Sequence, residues 1–197
     1  MSLDQDPHRK QVKHYHEPGD FHELTFSTYQ RKPLLTNDRW NGWLAERLDV
    51  ACRKQRFQLV AFVFMLEHVH LLVLPESQDP KAIGRFLAAV KRPVSVQVKA
   101  ALQKASSPLL ETLTIQERPG KKVFRFWQEG SGYDRNLNKE KTVLSSIDYI
   151  HENPVRRGIC EKPIDWKWSS ARWYASDGQE SDSDLPTIHG LPTGFFV

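Results

Sequence analysis

The chain has 197 residues, 28 Lys and Arg against 24 Asp and Glu, and 39% hydrophobic residues. This length suits one domain with a real core, and the composition excludes an intrinsically disordered chain. No apolar run reaches the roughly 18–20 residues of a membrane helix, the polar His-rich start does not read as a signal peptide, and the distant Cys52 and Cys160 form no metal-type spacing. A cytoplasmic domain is therefore expected. Its charge is unevenly spread. No Lys or Arg follows Ala175, whereas Asp177, Glu180, Asp182 and Asp184 do, so the first 175 residues carry 28 basic and 20 acidic side chains, a net of +8. A basic body of this kind points to a polyanionic partner, nucleic acid foremost.

In chain order, residues 1–20 read as a flexible arm ending at Pro18-Gly19. Residues 21–28 alternate Phe21, Glu23, Thr25 and Ser27 against His22, Leu24, Phe26 and Thr28, the pattern of a half-buried strand. Asn37-Asp38 supplies an N-cap, and Trp40, Trp43, Leu44, Leu48 and Ala51 follow at helical spacing, predicting a helix over 37–55. FQLVAFVFML (57–66) reads as a strand buried on both faces, and HVHLLVL (68–74) as a second strand closed by Pro75, close enough to pair as a hairpin. Residues 79–104 predict a helix kinked or interrupted at Pro93.

Residues 105–120 read as a polar excursion, and KKVFRFWQ (121–128) as the next strand. The Gly130-Ser131-Gly132 turn precedes Tyr133-Asp134-Arg135, and Asn138 is expected to cap a helix over 139–152 that Pro154 closes. A Trp-rich stretch ends the 21–175 domain, and 176–197 reads as a mobile acidic tail. The order strand, helix, hairpin, helix, strand, helix favours an α+β fold: a ferredoxin-like sandwich with a central antiparallel sheet and helices packed on it.

Two constellations carry chemistry. His68 and His70, at i and i+2 on a strand, share one face about 6.5–7 Å apart, so their imidazoles can converge on one divalent cation while Val69 packs behind them. On the last helix, Val143, Leu144, Ile147 and Ile150 form the apolar stripe, and Tyr149 and Asn153 fall together on another face, one turn apart. Tyr133, after the Gly-rich turn, is a rival reactive phenol or a loop anchor.

The segments FVFMLEHVHLLVLPE, FRFWQEGSGYDRNL and DYIHENPVRRGI followed by DWKWSSARWY together resemble the REP-associated tyrosine transposases, a branch of the His-hydrophobic-His single-strand nucleases. The resemblance runs from about Phe21 to Tyr174. It implies that His68 and His70 are the paired metal ligands, that Asn153 is the third, amide ligand, and that Tyr149 is the nucleophile. It further implies a divalent cofactor, Mg or Mn, and a single-stranded DNA substrate formed by hairpin-forming repeats, acted on by a monomer or homodimer. Glu67 departs from the pattern, standing where many relatives have Asn, and leaves a carboxylate ligand or a supporting role open. A phenol with an ordinary pKa near ~10 needs such assistance to attack a phosphodiester. The chemistry implied is endonuclease and strand-transfer activity through a 5′-phosphotyrosine link. Lys91, Arg92, Lys121, Lys122, Arg125, Arg135, Arg156 and Arg157 are the candidate phosphate contacts. The competing expectation is a non-catalytic single-stranded nucleic-acid-binding module on the same sheet.

Overall fold

The computed structural model describes residues 19–195 except Gln78, Ser131, Ser181 and Thr193. The predicted arm therefore lies almost wholly outside the described residues. Strand β1 (Phe21–Ser27) leads through two short 3-10 turns into α1 (Asp38–Gln55), whose first turn is capped as expected by the Asn37 side chain accepting from the Trp40 backbone N–H. β2 (Phe57–Phe64) and β3 (His68–Pro75) form the predicted hairpin, and α2 (Ala82–Lys104) follows. After a short α3 (Leu109–Thr112) come β4 (Thr114–Arg118), β5 (Lys121–Phe124), β6 (Tyr133–Leu137), α4 (Glu140–Arg156) and α5 (Ala171–Ala175).

The main sheet has the order β2-β3-β1-β6 with every neighbouring pair antiparallel, the ferredoxin-like arrangement expected from the element order. Period-two alternation sorts its side chains onto two cores. Leu24, Phe26, Val69, Leu71 and Val73 pack with α1 and α2, whereas Phe21, Leu72 and Leu137 pack with Val143, Ile147 and Ile150 of α4. A register shift between Leu59 and Ala61 in β2 lets Val60 and Ala61 both join the α4 side before Phe62 and Phe64 return to the other.

Four sequence expectations need correction. The strand KKVFRFWQ does not complete the main sheet: its first half pairs with β4 in a separate two-stranded sheet, and the fourth position is taken by YDRNL. As an edge strand, β6 needs only one paired rim and tolerates polar, exposed positions that the hydrophobic pattern does not flag. Pro93 does not interrupt α2, because the buried stripe Phe86, Leu87, Val90, Val94, Val98 and Leu102 continues past it and outweighs one lost backbone bond. Pro154 likewise lies inside α4, which continues to Arg156, and Lys139 rather than Asn138 occupies the N-cap.

Where it is described, the segment after Ala175 contacts the domain. The Thr187 N–H donates to Asp49 at 2.8 Å, the His189 N–H to the Leu59 carbonyl at 2.9 Å, and the Phe195 ring meets Phe21 edge-on at 5.1 Å. Together with Trp168 and Ser170, whose backbones bond to Phe64 and Phe62, His189 satisfies polar groups on the exposed rim of β2.

Candidate active site

The face of the sheet that meets α4 carries the polar residues the core does not use. The antiparallel register sets Ser27 opposite His68 and Thr25 opposite His70, and on the next strand Tyr133 opposite Thr25 and Arg135 opposite Glu23. A straight row, His70–Thr25–Tyr133, thus crosses three strands. Both histidines are buried, at 5% and 6% exposure, and their Nε2 atoms stand 3.0 Å apart.

Each ring is held from behind. His68 Nδ1 lies 3.2 Å from Glu67 Oε1, and His70 Nδ1 lies 2.8 Å from Thr25 Oγ1. Burial pushes Glu67 up, but the hydrogen bond from Arg31 and the charges of His68, Arg157 and Arg31 overcome it and hold the carboxyl below its ordinary range. An ionised carboxylate only accepts, so the His68 proton sits on Nδ1 and its Nε2 lone pair faces His70. Burial, with the charges of His68 and Arg31, lowers His70 to about 3, and burial foremost lowers His68 despite Glu67, so both rings are neutral near pH 7.

Two neutral rings presenting Nε2 to one point, each Nδ1 tied outward, fit a divalent cation. Glu67 Oε1 lies on the Nδ1 side of His68, and no group of three His, Cys, Asp or Glu forms a metal cluster among the described residues. A third ligand would then have to be an amide or a substrate oxygen.

Helix α4 lays Tyr149 over this pair. Its ring meets His70 edge-on, with centroids 5.5 Å apart, and it remains 38% exposed. The Arg156 guanidinium lies 5.4 Å from the centre of the Tyr149 ring. Asn153 is buried one turn on, and its NH2 donates to the Tyr149 carbonyl at 2.7 Å, leaving Oδ1, the atom a cation would take, outside that bond. Among the described residues, no hydrogen bond joins Asn153 to the histidines. Tyr133, 54% exposed, lines the same groove of about 580 Å³ with Thr25, His70, Arg135, Lys141 and Tyr149. A larger cavity of about 900 Å³ beside the C-terminal segment holds none of the predicted site residues.

The predicted phosphate contacts divide by what they already touch. Lys91 is half-buried, lowered by burial, and donates to the Gly130 carbonyl at 3.1 Å, bracing the turn before β6. Lys121 and Arg125 pair with Glu117 on the β4–β5 hairpin. Arg135 lies 4.0 Å from Glu23, and Arg157 bonds Glu67 at 2.8 Å. Arg92 and Lys122 are exposed on α2 and β5. The sequence reading missed Thr25, Glu23, Arg31, Ser146 and Lys141. Thr25 and Glu23 were detectable as polar residues on the strand face opposite the buried Leu24 and Phe26. Ser146, which donates to the buried Glu23 at 3.1 Å, and Arg31 carry no such signal.

No protein-family model matches the chain. A curated Haemophilus influenzae protein named as a REP-associated tyrosine transposase is 30% identical over 145 residues, covering 70% of this chain and 76% of that relative. Among solved structures, a REP-associated tyrosine transposase bound to a REP hairpin superposes with a TM-score of 0.63 at 18% identity, covering 93% of this chain and 98% of that one. A Deinococcus radiodurans transposase-like protein aligns at a TM-score of 0.44 and 21% identity, over 74% and 97% of the two chains. Among the described residues, no helix is long and apolar enough to cross a membrane.

Proposed function

Since the chain belongs to the REP-associated tyrosine transposases, we propose that it cuts and rejoins single-stranded DNA at hairpin-forming repeats, with Tyr149 as the nucleophile. One observation carries this reading: Tyr149, partly exposed, stands edge-on to His70, whose Nε2 meets that of His68 at 3.0 Å. A phenol, a pair of neutral imidazoles and a groove open to solvent are the parts that phosphodiester transfer to a protein side chain requires.

His68 and His70, with Asn153 Oδ1 as the third donor, would hold a divalent ion, Mg or Mn. When bound, that ion supplies positive charge at the scissile phosphate and favours the phenolate. The residues of the chain do the rest. Tyr149 Oη loses its proton to solvent and attacks phosphorus in line. The new Oη–P bond forms as the bond to the 3′-oxygen breaks, and that oxygen takes a proton to become a free 3′-hydroxyl. The 5′-phosphotyrosine keeps the energy of a phosphodiester, so a second 3′-hydroxyl can displace Tyr149 and join a new strand. Arg135 and Lys141 at the groove mouth would receive flanking phosphates.

The test uses a 3′-labelled single-stranded repeat hairpin with Mn²⁺, read on a denaturing gel. Wild type and Tyr133→Phe should form a covalent protein–DNA adduct, and Tyr149→Phe should not while still binding the hairpin. An adduct that survives in Tyr149→Phe refutes the nucleophile. Hairpin binding with no cleavage or adduct in the wild type would favour the binding module instead.

A further inference from the structure

The fold gives Glu67 more partners than a surface carboxylate would find. Its side chain is 9% exposed, and the single oxygen Oε1 collects three donors: His68 Nδ1 at 3.2 Å, Arg31 Nη2 at 3.0 Å and Arg157 Nη2 at 2.8 Å. The three come from the turn after β1, the start of β3 and the C-terminal end of α4. Arg31 reaches the carboxylate from a turn in which Gln30 and Arg31 both have left-handed φ, at 53° and 52°, a conformation that non-glycine residues adopt only when their surroundings impose it. The turn is fixed to the same residue through its backbone, since the Thr28 N–H donates to the Glu67 carbonyl at 2.9 Å. Two guanidiniums around one carboxylate leave a local charge of +1.

We propose that Glu67 is a positioning residue, a charged latch: its Oε1 holds the His68 ring with Nε2 turned to His70, while Arg157 draws the end of α4, and with it Tyr149 and Asn153, onto the histidine strand. The latch rests on the assignment of His68 and His70 as metal ligands and of Tyr149 as nucleophile. A carboxylate serves here where an amide would not. An Asn or Gln can accept from His68, but it carries no charge to offset either guanidinium, and it offers the arginines a weaker, uncharged acceptor. The chain's Glu at this position is thereby matched to its two arginines, which no local sequence pattern connects.

Mn²⁺ binding to the DNA-free protein, followed by the electron paramagnetic resonance of the free ion, separates the latch from the reaction itself. Glu67→Ala should weaken Mn²⁺ about ten- to a hundredfold, the usual loss when a ligand's supporting partner goes, and Glu67→Gln, which keeps an acceptor for His68, should lose less. Hairpin DNA affinity should hold or rise in both, because two guanidiniums are released; a misfolded variant would lose both affinities. Arg157→Gln should weaken Mn²⁺ by less than Glu67→Ala does, about two- to tenfold, because Asn153 is drawn less tightly to the histidines, and should form the covalent adduct about tenfold more slowly even at saturating Mn²⁺, with Arg157→Lys partly restoring the rate. Wild-type Mn²⁺ binding in Glu67→Ala, when His68→Ala has lost it, overturns the latch and leaves the metal site standing. Wild-type binding in His68→Ala removes the metal site and the latch with it. An unchanged adduct rate in Arg157→Gln overturns the tie to α4.

Discussion

Gly132 offers a direct test of how tightly the edge strand must approach the centre of the site. It has φ +79°, and a Cβ built there would lie 2.1 Å from the Thr25 carbonyl oxygen, a backbone atom with nowhere to turn. Thr25 is the residue that holds His70. Gly130, two residues earlier, has φ +103° but open space around it, so it isolates the conformational penalty from the collision. A left-handed φ costs an alanine roughly 1–2 kcal/mol. An ordinary C···O contact near 3.3 Å would require β6 to move about 1 Å from β1 at Gly132, enough to lose one or two ladder hydrogen bonds worth about 1 kcal/mol each. Gly132→Ala should therefore cost about 2–4 kcal/mol and lower Tm by roughly 5–15 °C for a domain of this size. Gly130→Ala should cost only the first part. Thermal unfolding by circular dichroism measures both, and Mn²⁺ titration of Gly132→Ala at a temperature where it is folded should show weakened binding as Thr25 shifts. If the two alanine variants melt within about 2 °C of each other, the close approach of β6 to Thr25 is wrong.

Other outcomes follow from the buried histidines and the sorted cations. Burial lowers His151 to about 4 and His70 to about 3, from 6.5. The unfolded chain therefore binds more protons than the folded one between those values and about 6.5, so stability is full above pH 6.5 and is lost as pH falls toward 4 and then 3. Each group contributes about 3–5 kcal/mol to that loss. Urea unfolding at steps from pH 8 to pH 4 should show the decline, and His151→Gln should flatten part of it; a level profile would contradict the burial of neutral imidazoles. Lys122→Ala should weaken hairpin binding and lower the slope of log K against log salt by about one. Lys91→Met should leave that slope unchanged and lower Tm instead, because its ammonium is engaged by the Gly130 carbonyl; filter binding at several salt concentrations distinguishes the two.

Local chemistry made much of this site legible from sequence. Alternation with period two places His68 and His70 on one face whatever the rest of the chain does, and helical spacing places Tyr149 and Asn153 together away from the apolar stripe of α4. The β2–β3 hairpin and the Asn37 cap were readable for the same reason, since each depends only on residues close in sequence. Resemblance to relatives supplied roles for those residues, not their geometry.

The choice of the fourth strand was a tertiary decision. KKVFRFWQ has the stronger strand pattern, but pairing with β1 goes to YDRNL, because Gly132 lets the chain come against Thr25 and an edge strand needs few apolar residues. The C-terminal segment, acidic and without a strong pattern, is held through backbone bonds to Leu59 and Asp49 that composition cannot announce. The Glu67 carboxylate shows the division most clearly. Its neighbour His68 is visible in the tripeptide, whereas Arg31 and Arg157 come from opposite ends of the domain. Periodicity determines which face a side chain takes, and only the packing of distant elements determines what meets it there.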